Sequence, residues 1–246
     1  MFRYAFILTV LACMVSTQSL ANIVMVGTRV IFPAESNEKT LQFSNNGDIP
    51  YIVQIWLDRG NDASTPENAD APFVVNPPLF RINPHKGQMA RLIYVPQTAL
   101  PQDRESIFYL NFKQIPALQE SSADQNKLIF LVKNRLKVFY RPKSIIGNVE
   151  VMPQKWTYTL QQQTKGSTVT VHNPTGYYAN LTTATLKVKQ QSYSIDPKSV
   201  AMIAPYSNAT WPLPKKVTAD QDSVLSVTYV NDYGAIARQD IPVQQP

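Results

Sequence analysis

Short stretches rich in β-branched, aromatic and large aliphatic residues, each closed by a turn signal, recur along the chain, and this spacing admits little but β-structure. In the first half the stretches are 22–32 (NIVMVGTRVIF), 39–44, 51–57 (YIVQIWL), 73–82, 89–95 (MARLIYV) and 107–115 (IFYLNFKQI). Gly27 marks a bulge or crossover inside the first, and Asn45-Asn46-Gly47 closes the second. Pro77 and Pro78 interrupt 73–82, so pairing there must break or lie at a sheet edge, and Asn76-Pro77-Pro78 is a candidate for a cis bond. Later strand signals fall at 156–161, 167–172, 178–189, 199–203 and 224–231, with turns at 173–176 and 205–208. With 19 prolines and no long helical period, the chain reads as all-β. About seven strands in the first part make an immunoglobulin-like sandwich, and a smaller second sandwich follows.

The first 21 residues read differently. Arg3, an apolar core from Ala5 to Val15 and the small-x-small triplet Ser19-Leu20-Ala21 form an export signal, 1–21, with cleavage expected after Ala21. That core is too short to span a bilayer, and no later segment approaches the roughly 20 apolar residues that spanning needs. Cys13, the single cysteine, lies inside the signal, so the exported chain has no disulfide and no Cys-based zinc site. Its stability must rest on hydrophobic cores. The length suits two domains, 22–142 and 143–246, and the joint at 142–148 (PKSIIGN) is short enough to set a fixed angle with a cleft between them.

The stretch 126–142 (NKLIFLVKNRLKVFYRP) carries the most information about function. Its apolar run reads as a strand in which Leu128, Phe130 and Val132 point one way and Ile129 and Leu131 the other. One set can fill the chain's own core, while the other needs a second apolar surface, from the fold or from a partner. A central strand buried on both faces is the plainer alternative. Lys133, Arg135, Lys137 and Arg141 follow as a line of positive charge, suited to an extended ligand that is anionic at one end.

The residues point away from catalysis. His85 and His172 both adjoin turn residues, and the chain contains no HExxH, GxSxG, GxxxxGK[ST] or GxGxxG pattern. No metal, nucleotide or other cofactor is expected. Asp103 and Glu105 flank Arg104, an arrangement that suits salt bridging better than acid–base work. The formal charge of +6 is modest, and its densest patch is interleaved with aliphatic residues, so nucleic acid is not an expected partner.

Several blocks together resemble the PapD-like family of periplasmic chaperones of pilus assembly: TRVIFP (28–33), PYIVQIWL (50–57), PFVVNPPLFRI (72–82), DRESIFYLNFKQIP (103–116) and RLKVFYRP (135–142). In the second half NPTGYYANL (173–181) and YVNDYG (229–234) are similar to the family's C-terminal domain. The resemblance implies two immunoglobulin-like β-sandwich domains in a boomerang arrangement. It implies a chaperone that caps pilus subunits one-to-one by lending a missing strand and passes them to an outer-membrane usher, without ATP. Arg29 and Lys137 match the pair that anchors a subunit's C-terminal carboxylate. Leu128, Phe130 and Val132 match the donor-strand residues, and Glu105, Arg141 and Asp232 match an interdomain salt-bridge network. The short 116–126 loop and the absence of a cysteine pair are similar to the short-loop subclass. Phe112 departs conservatively from the aliphatic residue usual there. Self-association that shields the strand is left open, as is an alternative role as an exported two-domain structural or adhesive pilus component.

Overall fold

A computed structural model describes residues 22–96, 98–117 and 128–243. The expected export signal and most of the 116–126 loop, with Lys127, lie outside these described residues.

The first domain contains β1 (Ile23–Met25), β2 (Arg29–Pro33), β3 (Glu38–Asn45), β4 (Tyr51–Asp58), β5 (Phe73–Asn76), β6 (Leu79–Ile82), β7 (Gly87–Tyr94), β8 (Ser106–Pro116) and β9 (Val132–Arg141). They make two facing sheets, ordered β1-β3-β7-β5 and β2-β9-β8-β4-β6. Alternation along the strands builds the core: Tyr51, Val53, Ile55 and Leu57 of β4 are buried together with Phe32, Leu92, Leu110 and Val138. Phe32 meets the ring of Phe73 edge-on at 5.2 Å, a contact worth about 0.5–1.5 kcal/mol beyond burial. The proline pair separates β5 and β6, which end up on the edges of different sheets, and the Asn76–Pro77 bond is cis.

The second domain contains β10 (Thr157–Gln162), β11 (Ser167–Asn173), β12 (Leu181–Val188), β13 (Gln191–Ser194), β14 (Ser207–Leu213), β15 (Val224–Val230) and β16 (Ile236–Pro242). Its sheets run β10-β11-β14 and β13-β12-β15-β16 over a core centred on Trp156, Tyr158, Trp211 and Leu225. The expected strand at 199–203 does not form; only Ile203 bridges, to Ala179. Three edge strands were hidden from pattern reading. β13 and β16 are polar, because one side of an edge strand faces water. In β14, Pro212 masks a strand that tolerates proline at the sheet edge.

The 128–132 run also departs from expectation. β9 begins only at Val132, so Leu128, Ile129, Phe130 and Leu131 precede the ladder and are not part of it. Neither set of side chains fills the domain's own core, since all five residues are exposed, Leu128 at 81% and Phe130 at 74%. A strand buried on both faces is therefore excluded.

Candidate functional site

The site forms where β2 meets β9. Gly27, at φ +90°, turns the chain between β1 in one sheet and β2 in the other, a conformation that L side chains rarely adopt. β2 then runs parallel to β9 with Arg29 opposite Lys137 and Pro33 opposite Arg141. This pairing covers only the second half of β9. Among the described residues, 132–136 is paired with β8 on one side and with nothing on the other. That edge presents unsatisfied backbone donors and acceptors, a template for another strand.

Arg29 and Lys137 stand side by side at the point where the open edge ends. Arg29 donates from Nη1 to the carbonyl of Val230 at 3.0 Å, and Lys137 Nζ donates to Asn180 Oδ1 at 3.0 Å, so both reach across to the second domain. Each is half-buried, and neither has a carboxylate at salt-bridge distance among the described residues. Arg29 Nε is buried with no hydrogen-bond partner among the described residues. Burial lowers the pKa of both groups; the neighbouring charge of Arg29 lowers that of Lys137 further, while Asp232 partly offsets the effect at Arg29. Two desolvated cations with spare donors are equipped to receive an anion, with charge-assisted bonds of about 1.5–3 kcal/mol each.

The remaining cations of β9 do not extend this charge, which corrects the reading of 133–141 as one positive line. Arg135 is spent on Asp58, a fully buried carboxylate, through bonds of 2.5 and 2.8 Å, and its guanidinium lies 4.2 Å from the Tyr109 ring centre. Burial alone would raise the Asp58 pKa, but Arg135, Ser64, the Gly60 N–H and Asn111 hold its carboxyl far below the usual range. Lys133 donates to the Asp62 carbonyl at 2.7 Å. Asp58 is a residue that pattern reading missed. It ends the strand YIVQIWLD on the face opposite the core residues Ile55 and Leu57, where alternation alone reads an acid as solvent-facing, so its burial had no local signal.

Arg141 belongs to the domain joint. Its Nε donates to Glu105 Oε1 at 2.7 Å, and its two terminal nitrogens donate to Asp232 at 2.6 and 2.9 Å. Glu105 also accepts from the Tyr178 N–H at 2.8 Å, while its own N–H donates to the Gly176 carbonyl at 2.8 Å. Burial raises the Glu105 pKa against the opposing pull of Arg141 and the Tyr178 N–H. The domains approach so closely here that a Cβ on Gly176 would fall 2.6 Å from the Asp103 carbonyl oxygen. Arg141 thus ties one residue of each domain to β9, and its neighbour Phe139 packs on Tyr178 at 5.7 Å. The joint and the cation pair share one strand, so they hold a common geometry.

The apolar residues approach the edge from its other end. Val132 has the same parity as the core residues Leu136, Val138 and Tyr140, and Leu128 and Phe130 continue that parity by count. They lie beside Ile49, Tyr51 and Pro116 at the rim of the first sandwich.

Two immunoglobulin-like sandwiches with an open strand edge leading into a cationic cleft define a strand-presenting binding protein. Residues 22–146 match the family model for the N-terminal domain of PapD, a pili and flagellar-assembly chaperone, and 153–241 match that for the C-terminal domain of the pili assembly chaperone PapD. The chain is 36% identical over 197 residues to the probable fimbrial chaperone YadV of Escherichia coli strain K12, covering 78% of each. It is 33% identical over 216 residues to the chaperone protein MrkB of Klebsiella pneumoniae, covering 87% of this chain and 88% of that one. The crystal structure of the YadV chaperone matches with a TM-score of 0.74 at 29% identity, covering 91% of this chain and 100% of that one. A chaperone from Pseudomonas aeruginosa, CupB2, matches with a TM-score of 0.70 at 30% identity, covering 90% and 100%. The chain belongs to the PapD-like family of pilus-assembly chaperones.

Proposed function

We propose that this chaperone works in the periplasm, after removal of 1–21, by completing pilus subunits that lack a strand and handing them to an outer-membrane usher. The observation that carries the mechanism is the adjacency of three features: the open 132–136 edge, the exposed run before it, and the Arg29–Lys137 pair where it ends. A subunit's C-terminal carboxylate bound between the two cations sets a zero point. Its terminal strand then lies back along 132–136, in line with β2 and, like β2, parallel to β9.

Each backbone hydrogen bond gained contributes about 0.5–1.5 kcal/mol net. Leu128, Phe130 and Val132, once entered into the subunit's incomplete core, add roughly 1.5–3 kcal/mol apiece. Glu105, Arg141 and Asp232 hold the cleft at the angle that a seated carboxylate requires. Nothing in this exchange consumes ATP; it trades one strand edge for another. The test is co-purification from periplasm, wild type beside the Arg29→Ala/Lys137→Ala double variant. Wild type should hold subunits one-to-one and the folded double variant should hold none. Equal capture by both would overturn the anchor.

A further inference from the structure

One polar side chain on the donor face is left without a role by this scheme. Asn134 lies in the open half of β9, opposite Phe112 of β8, and shares its parity with Val132 before it and Leu136 after it. Its amide nitrogen is buried and has no hydrogen-bond partner among the described residues. A buried amide donor without a partner is unfavourable, and the apolar types on either side show that the position could be filled without it. We propose, resting on the subunit-binding reading above, that Asn134 is a register-determining residue: its amide donates to an oxygen of the bound subunit's terminal strand, and it bars a two-residue slip.

The two-residue period of a strand decides which slips need barring. A slip of one residue turns the whole donor face over, so apolar burial already excludes it. A slip of two residues, about 6.6 Å, keeps the face and is not excluded by hydrophobicity. It would move Phe130, Val132 and Asn134 into the places meant for Leu128, Phe130 and Val132, and would force the amide into an apolar groove. The carboxylate anchor fixes the subunit's end, and Asn134, three residues before Lys137 or about 10 Å along the strand, fixes its body. The two devices together accept only a subunit whose C-terminal strand has one length.

The test uses the subunit that co-purifies with the wild-type chaperone, at full length and shortened by its last two residues. To reach Arg29 and Lys137 the shortened form must slip by two, so wild type should bind it at least about tenfold more weakly. In Asn134→Leu, and in the smaller Asn134→Val should leucine disturb folding, affinity should move in opposite directions. The full-length subunit should bind severalfold more weakly because the amide bond is lost, and the shortened one about tenfold more tightly than it binds wild type. A purely structural role for Asn134 would weaken both subunits alike, and that result overturns the proposal. Failure of the variants to improve binding of the shortened form also overturns it. Wild type that captures subunits independently of Lys137 refutes instead the anchor on which the proposal rests.

Discussion

Replacing Arg141 by alanine tests how the cleft is held. The change removes three hydrogen bonds, one to Glu105 and two to Asp232. Asp232 is 27% exposed and can turn to water, but the Glu105 side chain is 2% exposed and, among the described residues, keeps only the Tyr178 N–H. Breaking a buried pair by removing one partner costs about 3–5 kcal/mol, and the surviving bond places this case near 3 kcal/mol at pH 7. The loss should depend on pH. Burial already raises the Glu105 pKa, and without Arg141 that shift grows. A carboxyl whose folded pKa lies above its unfolded value of about 4.3 is relatively stabilising at low pH and loses that stability as pH rises through the folded value. The deficit of the variant should therefore shrink to about half or less near pH 4.5. Urea unfolding can be followed by tryptophan fluorescence, with Trp56 reporting the first sandwich and Trp156 and Trp211 the second. Glu105→Gln/Arg141→Ala should recover much of the loss at pH 7. A deficit of equal size at both pH values would refute the reasoning, because the unpaired Glu105 charge could not then be its cause.

Two further outcomes are expected. Asp58 has a depressed folded pKa, so its contribution is complete above the unfolded value of about 3.9 and is lost as pH falls below it; Asp58→Asn should be less stable at pH 7 and show a flatter acid-unfolding curve, and parallel curves would count against the Asp58–Arg135 pair. Phe130 is exposed, so Phe130→Ser should leave unfolding within about 0.5 kcal/mol of wild type while weakening subunit capture by roughly tenfold or more, to a degree that differs between subunits; uniform loss across subunits would argue against a selectivity role.

Much of the first sandwich was legible because its strands are half-buried, and alternation such as that of YIVQIWLD is then written directly in residue type. The proline pair foretold a break at the sheet edges for the same local reason. Edge strands failed this test: β16 buries so little that its sequence resembles a loop. The 128–131 run was misread in the opposite sense, since strong β-forming residues stand outside any ladder. Strand propensity reports fitness for a sheet, and here the described residues supply no partner on that side. Charge was the least legible quantity. Arg135 and Lys137 look alike in sequence, yet Arg135 is neutralised by Asp58, 77 positions away, whereas among the described residues Lys137 meets only an amide oxygen. Pairing of this kind is set by sheet order, and no local pattern reports it. The juxtaposition of Arg29 with Lys137 was likewise carried by the family resemblance and not by spacing.

Strand addition at the open edge of β9 can be read from amide hydrogen exchange of the free chaperone beside its co-purified complex. The outward-pointing amides of 132–136 should exchange rapidly in the free protein and become protected in the complex, while those of 137–141, already paired with β2, should change little. Protection confined to other surfaces, with 132–136 still exchanging freely in the complex, would contradict strand addition at this edge.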